Sequence, residues 1–106
     1  MISSRLELHE FLTDILGNGN VYFQPPESVK MKYPAIVYSR SGISNVHADD
    51  SVYVQTCEYD VTVIDIDPES PAASRLSKTP YCRYSRHYTA NNLNHDVFTI
   101  IIQGGI

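Results

Sequence analysis

Several residue types are scarce or missing in this chain. Among 106 residues there are two cysteines, Cys57 and Cys82, and no tryptophan. Small secreted domains held by disulfides carry a much larger share of cysteine, so we expect both thiols to be reduced and packed. No apolar run approaches the roughly 20 residues that cross a bilayer, and the N-terminus lacks the pattern of a signal peptide. The sequence therefore predicts a cytoplasmic chain with no membrane partner.

Basic residues are also few. Eight Lys and Arg stand against twelve Asp and Glu, which gives a formal net charge of -4. Because non-specific affinity for nucleic acids comes mainly from basic side chains that displace counterions, this balance argues against broad DNA or RNA binding. The 42% hydrophobic and 19% charged fractions are typical of a folded protein. We expect one domain, residues 1–106, that association with other copies would stabilise.

The clearest element is a helix near the N-terminus. Ser4 and Glu7 form the Ser-x-x-Glu pattern of a capping box. Apolar residues then follow at a spacing that places them along one side of a helix. Gly17 suits the helix end, because glycine takes the left-handed conformation without a Cβ clash. The residues of this apolar stripe are Leu8, Phe11, Leu12, Ile15 and Leu16.

Strand signals fill most of the remaining chain. β-branched and aromatic residues, in places alternating with polar ones, mark the expected strands. These strands cover residues 21–24, 35–39, 52–66, 81–89 and 96–103. The polar stretch from Arg40 to Asp50 is expected to be an extended hairpin connection. Asp67, followed by proline and glutamate, has the chemistry of a helix start, and a short helix through Leu76 is expected.

These elements follow one another in the order α-β-β-β-α-β-β. Together they predict an α+β fold in which a mixed, mostly antiparallel β-sheet packs against the N-terminal helix and a short second helix. The helical crossover is expected to place one parallel strand pair inside an otherwise antiparallel sheet.

Residues that suit catalysis or metal binding are present but scattered. Asp65 and Asp67 offer two carboxylates for a divalent cation, although no third ligand lies close in sequence. A second set has no recognisable catalytic spacing, and motifs for phosphate, nucleophile or zinc chemistry are missing. That set is His47, Asp49, Asp50, His87, His95 and Asp96. We therefore expect no enzyme activity, no catalytic residue, no metal and no cofactor, with a cation-dependent hydrolase using Asp65, Asp67 and His87 as a third possibility.

Basic and aromatic residues interleave along the strand from Tyr81 to Tyr88. Surfaces that bind single-stranded nucleic acids combine these side chains, so the alternative function is a small nucleic-acid-binding regulatory protein that uses this strand. Strict alternation would divide the residues between two faces. Tyr84, Arg86 and Tyr88 would share one face, and Arg83 and His87 the other. The eight tyrosines and two expected edge strands instead favour contacts between protein copies.

Short motifs are spread over most of the chain. They are PAIVY (34–38), NVHADD (45–50) with Tyr53, YDVTV (59–63) leading into DPES (67–70), RHY (86–88) and NHDVF (94–98). Together they resemble the small tail-terminator and head-to-tail joining proteins, also called tail completion proteins, of long-tailed bacteriophages.

The resemblance implies a structural subunit that forms a ring, commonly a hexamer, which terminates the tail tube and joins it to the head completion or connector proteins. It brings no catalytic residues. It also implies that the segment from Arg40 to Asp50 reaches a neighbouring subunit or ring. The expected interface residues are Arg40, Asn45, His47, Asp49, Asp50 and Tyr53. The protein would be made in the cytoplasm of the bacterial host and reside in the virion at the tail–head interface.

Acidic residues suggest how such a ring would handle DNA. We expect Asp49, Asp50 and Glu58 to face the channel. Their negative charge would repel phosphates, so double-stranded DNA would pass through without specific binding.

Overall fold

The computed structural model describes residues 2–48 and 51–104. Within these ranges the chain forms two helices and five strands. They are α1 (Arg5–Leu16), β1 (Val21–Phe23), β2 (Ala35–Ala48), β3 (Ser51–Asp65), α2 (Pro71–Ser77), β4 (Cys82–Ala90) and β5 (Leu93–Gln103). The observed order α-β-β-β-α-β-β confirms the predicted α+β fold.

The five strands form one sheet with the order β1-β2-β3-β5-β4. β1 runs parallel to β2, and all other neighbours are antiparallel. The sequence predicted that the strands joined by the helical crossover would form the parallel pair. The parallel pair instead lies at an edge of the sheet, between β1 and β2. α2 joins β3 to β4, but β5 lies between them. The turn at Asn91 and Asn92, with φ of 54° and 62°, returns the chain so that β5 pairs with β4. Because β5 is the more apolar of the two strands, it occupies the interior position in the sheet.

α1 has the caps and the apolar stripe that the sequence predicts. The backbone N–H of Glu7 donates to the Ser4 hydroxyl oxygen over 3.2 Å, and Gly17 ends the helix with a φ of 84°. The Glu7 carboxylate accepts from the backbone N–H of Ser3 over 3.2 Å, one residue before the cap. Leu8, Leu12 and Leu16 are buried, and Phe11 and Ile15 pack partly buried against the same core.

Both helices pack on one face of the sheet, here called the covered face. The alternation expected in β3 is present, and the covered side carries its buried residues. From β3 these are Cys57, Tyr59, Val61 and Val63, joined by Ile36 and Tyr38 of β2, Phe98, Ile100 and Ile102 of β5, and Ala72 and Leu76 of α2. The other face, here called the open face, carries no helix in the described part of the chain.

α2 begins three residues later than the Asp67 pattern predicts. Ser70 is the N-cap, with its hydroxyl oxygen accepting from the backbone N–H of Ala73 over 3.3 Å, and Pro71 is the first helical residue. Asp67 instead accepts from the backbone N–H of Glu69 over 2.8 Å, which stabilises a local turn. The sequence contains a capping oxygen followed by proline twice. The helix starts at the second of these pairs, Ser70 and Pro71, and its residues Ala72 and Leu76 are buried in the core.

The segment from Arg40 to Asp50 is a strand for most of its length, not the connection that the sequence predicted. β2 continues to Ala48, and its pairing with β3 extends to Ala48 opposite Ser51. Register shifts occur between Arg40 and Gly42 and between Val46 and His47. Since residues on both sides of this stretch meet solvent, the apolar alternation that reveals a half-buried strand is missing. Asp49 and Asp50 lie outside the described residues.

Candidate interaction surfaces

A two-stranded ribbon projects from the sheet. β5 pairs with β3 only from Thr56 onward, and β1 pairs with β2 only as far as Tyr38. Residues 41–48 and 51–55 therefore extend past both neighbouring strands, and we call them the ribbon. The described chain measures 52 × 30 × 22 Å along its principal axes, an elongated shape for a small domain.

The described ribbon side chains are mostly exposed. Ile43 is 43% exposed and Val46 is 57% exposed. Across the pair, the side-chain amide of Gln55 donates to the Asn45 side-chain oxygen over 2.8 Å. None of the ribbon side chains that the structure describes belongs to the hydrophobic core cluster. Its conformation is therefore maintained by the β2–β3 ladder and by few tertiary contacts.

The predicted interface residues fall into three groups. Asn45 and His47 are exposed on the ribbon. Arg40 is half-buried at the ribbon base opposite Tyr59, and its backbone N–H donates to the Gln24 side-chain oxygen over 3.4 Å. Asp49, Asp50 and the side chain of Tyr53 lie outside the described part of the chain.

Glu58, the third residue expected to face a channel, is half-buried on the open face. It lies opposite Gly42 on β2 and Ile101 on β5, at the base of the ribbon. The described residues do not bring it together with Asn45 or His47 farther along the ribbon. Its role as a channel residue stays a prediction.

β4 forms the second surface, because it is the last strand of the sheet and no strand in the described ranges pairs with its outer side. Apart from Cys82, all of its side chains are exposed. β4 is paired to β5 through a register shift between Tyr84 and Arg86, with Ser85 as the extra residue. The shift reverses the facing of every later residue on the strand.

This bulge makes the predicted division of the strand wrong. Tyr84 lies opposite Phe98, and the two rings meet edge to face at 5.2 Å, so Tyr84 is on the covered face. Arg83 lies opposite Thr99, Arg86 opposite Val97 and Tyr88 opposite His95. Those three β4 residues share the open face, where strict alternation would have separated Arg83 from the other two.

Aromatic and cationic groups stack on this part of the open face. The Tyr88 and His95 rings are nearly parallel, at 12°, with their centroids 4.6 Å apart. The Arg86 guanidinium lies 5.6 Å from the centre of the Tyr88 ring. Such stacking holds the side chains in one orientation while Tyr88 stays 40% exposed. Arg83, Arg86 and Tyr88 together form a basic, aromatic patch beside the outer edge of β4.

Those candidate catalytic and metal-binding residues that the structure describes do not converge, and Asp49 and Asp50 lie outside the described ranges. Asp65 accepts from the backbone N–H of Asp67 over 3.0 Å, and His87 shares a 3.2 Å hydrogen bond with the Asn94 side chain. Asp96 is buried and accepts from the Tyr84 hydroxyl over 3.0 Å. Among the described residues, no three His, Cys, Asp or Glu side chains are grouped closely enough to hold a metal ion. His47 lies on the ribbon, away from the β4–β5 hairpin that carries His87 and His95.

A cleft of about 240 Å³ lies near the start of β4. Its walls are Ile2, Thr79, Pro80, Tyr81, Ile100 and Ile101. The lining offers no carboxylate, imidazole or amine, so the cleft has the character of a contact site and not of a reactive one.

Sequence reasoning missed a polar cluster between α1 and β2. Tyr38 is 1% exposed, and its hydroxyl accepts from the Arg5 guanidinium over 3.2 Å and shares a 2.7 Å hydrogen bond with His9 Nδ1. Burial raises the pKa of Tyr38, and the neighbouring Arg5 partly opposes that change. The Arg5 guanidinium also lies 4.6 Å from the centre of the Phe23 ring. The only sequence signal was the i, i+4 spacing of Arg5 and His9 on one helix face.

Comparisons with known proteins do not assign the chain. No family model matches it, and no curated protein sequence matches it significantly. In the described residues, no helix is both long enough and apolar enough to span a membrane. The ribbon, the β4 edge and the patch beside it are therefore the surfaces from which we infer a function.

Proposed function

We propose that this protein is a structural assembly subunit of a phage or prophage virion, whose copies form a ring that terminates the tail tube and joins it to the head connector. The ribbon is the observation that carries this proposal. It places exposed apolar residues and unpaired backbone groups beyond the body of the domain, where another protein copy can reach them. An isolated two-stranded ribbon is marginally stable in water, so contact with a partner would order it.

The distribution of exposed apolar residues supports an assembly role. In the described chain nine large apolar side chains are exposed, and four of them lie on the ribbon or on β4. These four are Ile43, Val46, Tyr84 and Tyr88, and Tyr81 directly precedes β4. Tyrosine is enriched where proteins meet, because its ring is rigid and its hydroxyl can bond at the rim.

The proposal assigns the chain a structural role without catalysis. Its partners would be other copies of the chain, the tail tube protein and the head completion or connector proteins.

 Six copies are the number that the resemblance implies for the ring. Double-stranded DNA would pass through its channel without specific binding, and the ring would lie at the tail–head interface of the virion.

The test is negative-stain imaging of the purified protein at high concentration, alone and mixed with tail tubes. We expect closed rings, or rings seated on tube ends, because the ribbon supplies a contact that each copy can repeat. A variant with a shortened ribbon serves as the control and should form neither. Single particles of monomer size together with bare tube ends would contradict the proposal.

The acidic channel lining is tested separately by the double substitution Asp49→Lys and Asp50→Lys. Reversing these charges should slow the ejection of DNA from assembled particles, because a positive lining attracts phosphates. The matched control is Glu10→Lys with Asp14→Lys, which reverses two exposed charges on α1. Equal ejection rates in both variants would dismiss the lining.

A nucleic-acid-binding regulator is the second candidate. The bulge in β4 favours it, since it brings Arg83, Arg86 and Tyr88 to one face. Two observations weigh against it. One face of the Tyr88 ring is already stacked on His95, and the chain as a whole carries a formal charge of -4. Binding of a short labelled single-stranded RNA that is lost on Arg86→Glu would favour this candidate over the ring.

A further inference from the structure

We propose that two copies of the chain pair through their open faces, related by a two-fold axis that runs along β5. This contact goes beyond the proposed ring, because it requires neither a tail tube nor the ribbon. The ribbon extends past the end of the β3–β5 pairing and stays outside the contact. Both helices pack on the core cluster of the covered face, so in the described ranges no helix covers the open one.

Charged side chains on the open face are separated by sign. β3, on one side of β5, carries Glu58 and Asp60 on this face. β4, on the other side of β5, carries Arg83 and Arg86. Asp60 and both arginines are exposed, and Glu58 is half-buried. The face therefore has an acidic side and a basic side, with one strand between them.

β5 supplies an uncharged centre for this face. Its side chains between the two charged sides are Val97, Thr99 and Ile101. Asp60 and Arg83 both lie opposite Thr99, one on each neighbouring strand, so they are equally far from β5. An apolar centre bordered by charged groups is the usual anatomy of a protein interface.

A two-fold axis along β5 makes this face complementary to itself. When one copy is turned over onto another about that axis, β4 of each copy lies over β3 of the other. Arg83 then faces Asp60 of the other copy, and two such ion pairs form, one on each side of the axis. Stacked sheets lie about 10 Å apart, a gap that an arginine and an aspartate side chain can bridge together.

Other occupants of the face fit the charges less well. An axis across the strands would place β4 over β4 and oppose the arginines of the two copies. A nucleic-acid backbone would be attracted by Arg83 and Arg86 and repelled by Glu58 and Asp60, which lie on the same face. A second copy, turned about β5, matches both signs at once.

The size of the contact predicts a weak pair. Three strands about 4.8 Å apart, paired over about eight residues, give roughly 400 Å² of flat area per copy. That total lies at the low end of specific interfaces, where complexes are weak and transient. We therefore expect dimers at high protein concentration, and fewer dimers as salt screens the exposed charges.

Charge reversal followed by mixing tests the pair. Arg83→Glu with Arg86→Glu should weaken dimer formation at least about tenfold, and so should Glu58→Lys with Asp60→Lys. An equimolar mixture of the two variants should recover most of the dimer. The first variant is acidic on both sides of β5 and the second is basic on both sides, so only the mixed pair brings opposite charges together. Sedimentation velocity over a range of protein concentrations measures all of these.

Two controls accompany the variants. Glu10→Lys with Asp14→Lys reverses two exposed charges on α1, away from the open face, and should leave dimer formation unchanged. Circular dichroism checks that each variant is folded. If Glu58→Lys disturbs the fold, Asp60→Lys alone, at an exposed residue, takes its place in the mixture.

The outcomes separate the pair from the ring. The variant with a shortened ribbon should still form dimers although it forms no rings. Undiminished dimer formation by either charge variant alone, no recovery on mixing, or a wild-type chain that is monomeric at about 1 mM overturns the pair, even when rings form on tail tubes. Dimers without rings under every condition uphold the pair and contradict the ring function. Binding of a short single-stranded RNA by a monomeric wild-type chain, lost in the Arg83→Glu, Arg86→Glu variant, assigns the face to nucleic acid and overturns the pair.

Discussion

Tyr38 shows how a buried tyrosine hydroxyl is kept satisfied. Its ring lies within contact distance of Phe23 and Tyr59, with centroids 5.0 and 6.0 Å away. Its hydroxyl lies between Arg5 and His9 at one side of α1. A buried hydroxyl without a partner costs about 1 to 3 kcal/mol, so these two helix residues allow an aromatic side chain to fill the core at that position. The cluster joins α1 to β2.

The apolar stripe of α1 should dominate the effect of single substitutions there. Leu12 is 0% exposed, and its truncation leaves a cavity in the core. We expect Leu12→Ala to lower the free energy of unfolding by about 2 to 5 kcal/mol. Urea denaturation of both proteins, followed by circular dichroism, measures the difference.

Leu6 provides a matched control on the same helix. It is 66% exposed, so Leu6→Ala should change the free energy of unfolding by less than about 0.5 kcal/mol. A similar loss in both variants would mean that burial of the stripe does not set the cost of truncation, since alanine has a higher helix propensity than leucine.

Cys82 should make stability depend on pH in the alkaline range. Burial raises the pKa of its thiol from 9.0 to about 11. The folded state therefore holds the proton more tightly than the unfolded state, and this contribution is complete below pH 9. It is lost as the pH rises toward and past about 11.

Cys82→Ala removes that contribution and should give a shallower fall in stability above about pH 9. Urea denaturation at a series of alkaline pH values measures the two slopes. The tyrosines titrate in both proteins and so affect both curves. Identical slopes would show that the thiol is no harder to ionise in the folded state.

At the scale of elements, α2 illustrates the choice between two similar caps. Ser70 and Asp67 each precede a proline, but only Ser70 bonds to a helical N–H. We expect Ser70→Ala to lower the free energy of unfolding by about 1 kcal/mol and Asp67→Ala by clearly less. Thermal or urea denaturation of the two variants shows which substitution lowers the free energy of unfolding more. A larger loss for Asp67→Ala would place the helix start where the sequence pattern predicts it.

The β4 bulge has a larger consequence than its single extra residue suggests. Side chains alternate between the faces of a strand, so one inserted residue moves all later side chains to the opposite face. Here the insertion of Ser85 gathers the two arginines of β4 on the open face. The bulge thereby creates the basic patch that regular alternation would have divided.

For the whole molecule, the ribbon should be dispensable for folding and necessary for assembly. Replacing residues 46–54 with Asn-Gly would close the hairpin beyond Asn45 and Gln55, a length that suits a two-residue turn. We expect a cooperative unfolding transition within about 1 kcal/mol of the wild type, because no described ribbon side chain belongs to the core cluster.

The same variant should fail to form rings or to cap tail tubes, since it lacks the outer half of the ribbon. Denaturation and sedimentation velocity on one preparation measure both properties. Ring formation by the shortened chain would assign assembly to another surface. Loss of the folded state would instead show that the ribbon stabilises the sheet.

The sequence by itself determined the local features. The Ser4 cap, the apolar stripe and Gly17 set α1, and the alternation from Cys57 to Val63 indicates the central strand with one face covered. Both depend on short-range geometry: a cap acts within one turn, and side-chain period follows directly from the backbone type. For the same reason the order of elements and the α+β class could be predicted correctly.

Only the tertiary structure decided how these elements are arranged. It placed the parallel pair at the β1 edge, extended β2 to Ala48, started α2 after Ser70 and put the bulge at Ser85. Each of these features depends on pairing or burial between segments far apart in the chain, which no local pattern records. The ribbon and the β4 edge arise in the same way, because an edge is defined by the strands that do not lie beside it.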